Sequence, residues 1–228
     1  MLYIKKADTA PVDWEAWFTT AIGNRSYDYG RDQPNLPRLR EARKFLLEEQ
    51  NHLCAYCLQK ISIIDSSIEH VIPKEFSVEL STSYTNLVAV CKNPQPDLES
   101  GKLHCDKHKL SEIITPFIFI ANCQVTPIKN NAYFSVGSDG AIFPKGTATF
   151  EHQSQAHAYI NTLNLNHSLL MANRAKDYLD NMIRDFRAIP TNRRQDYWEV
   201  QFRRIYKDKS TPFREILLIY ISDKCGRH

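Results

Sequence analysis

Between Arg38 and Gln50 the apolar residues recur at helical spacing. Leu39, Ala42, Phe45 and Leu46 share one face and Arg38, Arg40, Arg43 and Lys44 the other, predicting an amphipathic helix with a solvated basic side. Upstream, Trp14, Trp17 and Phe18 suggest a short helix, and Tyr27 to Pro37, with Gly30, Pro34 and Pro37, reads as loop. Downstream the apolar runs shorten. Ile61, Ile63 and Ile64 predict a first short strand, and Glu69 to Pro73 a second, ended by its proline. Tyr84 to Val90 begins as a short turn or helix, and Lys107 to Ile114 reads as a helix stopped before Pro116. The expected order is strand, strand, helix.

A β element follows within 117–145. Ala132 to Val136 and Ala141 to Phe143 flank a Gly137-Ser-Asp-Gly140 turn. Beyond it the period returns to helical. Ala175, Leu179, Met182, Ile183 and Phe186 form a core stripe, and Thr211-Pro212 reads as an N-cap with proline opening a last helix. The fold class is therefore α+β. Residues 1–47 form an N-terminal helical segment, 48–115 a cysteine-bracketed module, and 116–228 a β-hairpin with a helical C-terminal region.

Composition narrows the function classes. With 43% hydrophobic and 24% charged residues the chain is a folded one, not a disordered one. A net charge of +3 permits a nucleic-acid partner without arguing for one. Met1 to Lys6 lacks the apolar run of a signal peptide, and Ile216 to Ile221 is too short to span a bilayer. The expectation is a cytoplasmic protein with no membrane association. In a reducing compartment clustered cysteines bind metal more often than they pair.

Four of the six cysteines are so clustered. Cys54 and Cys57 form a zinc knuckle, and Cys91 and Cys105 supply a second pair separated by thirteen residues. That separating stretch holds two prolines and a glycine and reads as a surface insertion. His104 competes with Cys105 as the fourth ligand, the thiolate being the better zinc donor. Cys123 and Cys225 stand outside the cluster and read as buried small hydrophobes or incidental thiols.

Between the two pairs lie Glu69, His70 and Asn86. A carboxylate suits magnesium or manganese, an imidazole is the best general base near neutrality, and an amide can orient that imidazole or a loop. Singly each has a bland reading: exposed strand residue, satisfied histidine, helix cap. Together inside a cysteine frame they point to metal-dependent phosphodiester hydrolysis. Asp106 or His108 could supply the second ligand to the catalytic metal, and Lys109 a phosphate contact, although an exposed lysine is the common outcome.

The block resembles the HNH endonuclease family and its ββα-metal site, through Glu69-His70, Asn86 and the helix start near residue 106. Where the family commonly has histidine directly after the last cysteine, this chain has Asp106, with His108 two residues on. A narrower resemblance is to the HNH subunit of Septu anti-phage systems, a type that also accompanies some retrons. It rests on Leu47-Glu-Glu-Gln50, Cys54-Ala-Tyr-Cys57, Ile68-Glu-His-Val-Ile-Pro-Lys74, Tyr84-Thr-Asn-Leu87 and His104-Cys-Asp106. Looser matches reach Leu163-Asn-Leu-Asn166 and Arg174.

The resemblance implies a nuclease effector partnered by an ABC-type ATPase and, in retron-linked members, by a reverse transcriptase with its DNA–RNA product. The favoured reading has structural zinc on the cysteines and magnesium or manganese held by Glu69 and Asp106, with His108 the alternative second ligand. His70 would deprotonate the attacking water, and the products would carry 5′-phosphate and 3′-hydroxyl. The substrate would be DNA or RNA, tRNA included. Residues 181–214, with nine basic against four acidic residues and Tyr197, Trp198, Phe202 and Tyr206 interleaved, are a second candidate contact for nucleic acid or for the ATPase. The alternative is a zinc-stabilised nucleic-acid-binding or scaffold subunit that does not cut.

Overall fold

The computed structural model describes residues 4, 6, 10, 11, 14, 16, 37–77, 80, 83–93, 102–114 and 133–225. Expectations for Trp17, Phe18, the 27–36 loop, most of the 92–104 insertion, Pro116 and Cys123 fall outside them.

Helix α1 spans Pro37–Glu49, with proline at its opening where a missing N–H costs nothing. Its buried stripe is Leu39, Ala42, Leu46 and Leu47. The expected Phe45 is instead 38% exposed, because the stripe turns toward Leu47 where α1 packs on the strand described next.

Strands β1 (Ser66–His70) and β2 (Leu87–Cys91) pair antiparallel, with Ser66 opposite Cys91, Glu69 opposite Val88 and His70 opposite Leu87. The strand expected at 61–64 does not form. Asp65 Oδ1 takes the Ser62 backbone N–H and hydroxyl, so a side-chain-closed turn replaces the ladder. Every residue of β2 is buried. Gln50, itself fully buried, brackets its centre: Oε1 accepts from Ala89 N–H at 2.7 Å, and Nε2 donates to the carbonyls of Ala89 and Leu53 at 2.7 and 2.8 Å. Lys6 reaches in from the N-terminal segment, its Nζ 2.9 Å from both Glu49 Oε2 and the Leu87 carbonyl and 4.0 Å above the Tyr84 ring.

Helix α2 covers only Asp106–Lys109, not the expected 107–114. Leu110 takes a positive φ of 52°, which turns the chain away after one turn. Of the two strands expected before this helix only the second has a counterpart, β1, and the partner it pairs with is β2, where a turn or short helix was expected; the short helical turn Tyr84–Asn86 does precede it.

Strands β3 (Phe134–Val136) and β4 (Ile142–Pro144) form the expected hairpin around Gly140. That residue sits at φ +81°, and a Cβ there would lie 2.5 Å from the Met171 carbonyl, so only glycine fits. Helix α3 (Phe150–Thr162) is capped by Thr149, and α4 (Ser168–Arg174) runs through a π turn (Ala175–Leu179) into α5 (Asp180–Ala188). Helices α6 (Arg194–Lys207) and α7 (Arg214–Lys224) pack together. Thr211-Pro212 does not open α7. Thr211 Oγ1 donates to Asp208, and Phe213, at φ 57°, sends its N–H to the Leu58 carbonyl at 2.8 Å before the helix begins.

The described residues share one buried core, from Leu39 through the cysteines to Ile221. In the 181–214 segment Trp198 is buried against Phe186, Tyr197 and Tyr220, Tyr197 and Phe202 are half-buried, and Tyr206 is exposed. The aromatics there serve mostly as core.

Candidate active site and metal centre

The cysteine pairs arrive from two directions. The knuckle turn places Cys54 and Cys57, with the Leu58 N–H bonded to the Cys54 carbonyl at 3.1 Å and Leu58 at positive φ. Cys91 ends β2, and Cys105, also at positive φ, precedes α2. The four sulfurs lie within 4.8 Å of one another and are buried. Individual separations are 3.6 Å for Cys91 and Cys105, 3.7 Å for Cys57 and Cys91, and 4.0 Å for Cys54 and Cys105. A tetrahedral tetrathiolate with Zn–S bonds of ~2.3 Å has S···S edges of about 3.8 Å. The donor set and its spacing thus fit a metal such as zinc.

The electrostatics agree. Burial pushes the Cys54 thiol up, but bonds from Cys105, Cys57 and Cys91 hold it well below its ordinary range. Burial and the bonds to Cys54, Cys57 and Cys91 push Cys105 well up. Cys91 is drawn down by Cys105 but raised on balance by Cys54, Cys57 and burial. A dication would favour deprotonation of the sulfurs it binds.

His104 does not join the four sulfurs as a ligand. Its ring Nδ1 stands 3.2 Å from Cys105 Sγ and 3.8 Å from Cys91 Sγ, at hydrogen-bonding range of the sulfurs themselves. Asn93 fixes its backbone through two bonds, at 2.9 Å to the N–H and 3.0 Å to the carbonyl. The C-terminal helices close over this centre. The Cys105 N–H donates to the Leu163 carbonyl at 2.9 Å, and Asn164 Nδ2 to the Leu103 carbonyl at 2.8 Å. Arg174, buried on α4, donates to the carbonyls of Leu170 and Leu165. Burial lowers its pKa to about 10 while the charges of Cys57 and Cys105 oppose that fall. A guanidinium in electrostatic reach of the sulfurs offsets part of the negative charge of a tetrathiolate. Its Nη1 has no hydrogen-bond partner among the described residues.

On the other side of α2 opens a cleft of about 410 Å³, lined among others by Glu69, His70, Lys74, Asp106, Lys107 and Lys109. It brings together three of the catalytic candidates. Glu69 Oε1 accepts from the Tyr56 hydroxyl at 3.1 Å and pairs with Lys109 Nζ at 2.9 Å; Oε2 has no protein partner among the described residues. Burial, and then the charge of Glu69, push the Tyr56 phenol well up, so it stays a donor. His70 is mostly buried yet lines the cleft. Asp106 Oδ1 is buried and has no hydrogen-bond partner among the described residues, and its Oδ2 lies 3.8 Å from Lys107 Nζ. Burial first, and the neighbouring Glu69 charge second, raise Asp106 to about 6. An orphaned carboxylate oxygen beside a second carboxylate with a free oxygen fits a hard divalent cation.

His108 is set apart from these groups. It is exposed, and its Nδ1 donates to the Thr162 carbonyl at 2.9 Å, at the end of α3. Lys109 also differs from expectation: it is 1% exposed and engaged with Glu69, not a solvated surface lysine. Tyr56, the wildcard position of the knuckle motif, was invisible as a site residue, because its role depends on the strand that passes above it.

Asn86 orients a loop and not the imidazole. Its Oδ1 accepts from Ile72 N–H at 2.9 Å, and its Nδ2 donates to the carbonyls of Ile72 and Leu80 at 2.9 and 3.0 Å. The Asn86 carbonyl also receives the Val71 N–H at 2.9 Å, directly after His70. Asn86→Ala is expected to destabilise the chain by about 1–3 kcal/mol by stranding these backbone groups. Urea denaturation alongside cleavage rates would check it: a variant of unchanged stability would contradict the loop role.

Residues 54–93 match the family model described as HNH endonuclease. The match takes in Cys54, Cys57 and Cys91 together with Glu69, His70 and Asn86. This stretch of the chain is similar to an HNH endonuclease. The chain is similar to a curated protein named "Retron Vc95 putative HNH endonuclease" from Vibrio cholerae serotype O1 biovar El Tor, with 27% identity over 149 residues, covering 64% of this chain and 67% of that protein. The two matches support a nuclease, and no helix among the described residues is long and apolar enough to cross a membrane.

Proposed function

We propose that this HNH nuclease hydrolyses phosphodiester bonds in DNA or RNA, tRNA included, with His70 as general base. Glu69 and Asp106 would hold magnesium or manganese, and the four cysteines would hold structural zinc. The observation that carries the reading is the cleft shared by Glu69, His70 and Asp106, with Asp106 Oδ1 buried and without a hydrogen-bond partner among the described residues. When bound, the divalent ion would supply Lewis acidity at the phosphate and charge stabilisation at the leaving oxygen. The remaining steps belong to the chain. His70 takes a proton from water for in-line attack, which leaves 5′-phosphate and 3′-hydroxyl ends. Lys109 and Tyr56 fix the Glu69 carboxylate. Exposed Lys74 and Lys107 at the cleft draw in the phosphate backbone. Asn86 serves catalysis by holding the loop behind His70.

The resemblance to the Septu subunit supports an anti-phage effector that works with an ABC-type ATPase in the cytoplasm, in an α+β fold around a ββα-metal site. The retron name of the relative supports a further assembly with a reverse transcriptase and its DNA–RNA product. The test is divalent-dependent cleavage of duplex DNA and of tRNA by the zinc-loaded chain, alone and co-expressed with that ATPase. Cleavage in either state supports the reading; none on any substrate in both states overturns it and favours a binding or scaffold role.

A further inference from the structure

Lys109 is the buried cation of the catalytic cleft. Its Nζ lies 2.9 Å from Glu69 Oε1 and 3.5 Å from the His70 carbonyl oxygen. One turn of α2 carries both Asp106 and Lys109, three residues apart and on one side of the helix. The same turn thus delivers a second carboxylate and an ammonium to the neighbourhood of Glu69. A lysine kept from solvent in this way has an exposed alternative close by, since Lys107 on the same turn is half exposed.

We propose that Lys109 is a positioning residue that stands in for a metal ion at Glu69 and makes divalent-cation binding conditional on a nucleic-acid phosphate. The proposal rests on Glu69 and Asp106 being the ligands. The two ligand carboxylates face one buried ammonium, a local net charge of one negative, and the exposed Lys74 and Lys107 at the rim outweigh Glu75 there. A dication entering alone overshoots that charge and meets the ammonium across a poorly hydrated gap, where repulsion is weakly screened. A phosphodiester brings the missing negative charge. Metal and substrate then bind with positive coupling, and by linkage each tightens the other by the same factor. Meanwhile Lys109 and Tyr56 both bind Oε1, so the free Oε2 is held in place for the incoming ion.

The experiment is manganese titration of the zinc-loaded protein, followed by electron paramagnetic resonance. A His70→Ala background keeps substrate uncut, and a short DNA duplex or an unmodified tRNA is present or absent. The parent is expected to bind Mn²⁺ at least about tenfold more tightly with a nucleic acid present, within the range of ordinary coupling. Lys109→Met is expected to tighten Mn²⁺ binding by the free protein about tenfold and to flatten the response to nucleic acid. Lys109→Arg should keep the response. A purely structural ion pair predicts the opposite for Lys109→Met: unchanged or weaker binding, with coupling intact. That result, or a parent whose Mn²⁺ affinity ignores both nucleic acids, overturns the proposal. Should Lys109→Met fail to retain zinc or fold, Lys109→Gln replaces it and the parent titration still decides. Failure of the underlying reading looks different: Glu69→Gln and Asp106→Asn would then leave Mn²⁺ binding unchanged.

Discussion

Stripping the metal from the four-cysteine centre, or replacing Cys57 by serine, is expected to cost most of the stability of the fold. A structural tetrathiolate zinc contributes on the order of 10 kcal/mol to folding, comparable with the whole stability of a domain. The position of the centre explains why the loss would not stay local. The knuckle holds Leu58, whose carbonyl receives the Phe213 N–H before α7; Cys105 anchors to Leu163 after α3; Gln50 ties α1 to β2 beside Cys91. Each of these three ties lies within two residues of a cysteine. Removing the dication leaves four buried sulfurs that cannot all ionise, because burial and mutual proximity push Cys91 and Cys105 well up. Metal analysis should find one zinc per chain. Thermal unfolding should shift sharply after chelation and for Cys57→Ser, while Cys225→Ser, half-buried and outside the cluster, should leave zinc content unchanged. Purified protein without zinc, or a Cys57→Ser variant of parental stability, would refute the structural role.

The residues that were legible in the sequence are those whose chemistry is local. Cysteine spacing states a coordination requirement directly, so the four cysteines that the structure gathers within 4.8 Å could be named before any fold was known. The helix over 37–49 and the hairpin around Gly140 were legible for a similar reason: their patterns are short-range. Boundaries were lost where a side chain outcompeted propensity. Asp65 captures Ser62 and cancels a strand that three isoleucines favoured; Leu110 stops α2 by its backbone, not by its composition. The roles that stayed hidden depend on burial. Lys109 stands between His108 and Leu110, and nothing in these neighbours says that Glu69 will reach it from β1. Arg174 lies far along the chain from Cys57 and Cys105, yet the packing of α4 brings its charge to theirs. Asn86 had two readings in the sequence, imidazole or loop, and its three bonds to Ile72 and Leu80 are what favour the loop.

His70→Ala is expected to lower cleavage by about 10²- to 10⁴-fold, the usual contribution of a general base, while leaving zinc content and fold intact. The separation of the two centres makes this a clean experiment. His70 ends β1 in the cleft, and the cysteine cluster is assembled from the knuckle, the end of β2 and the residue before α2. Glu69→Ala should be comparably severe for a second reason: it removes a proposed metal ligand, strands the buried Lys109 ammonium and leaves the Tyr56 hydroxyl without its acceptor. Part of that loss should return at high magnesium or manganese. Asp106→Ala should behave in the same way, because its carboxylate lines the cleft beside Glu69. His108→Ala should be mild, since that ring binds the Thr162 carbonyl and stands outside the cleft. Rates over a metal titration, with zinc measured for every variant, separate a missing base from a missing ligand: the His70 defect should persist at saturating metal. A His70→Ala protein that cuts every substrate as fast as the parent would remove the catalytic assignment of this cleft while leaving the cysteine centre standing.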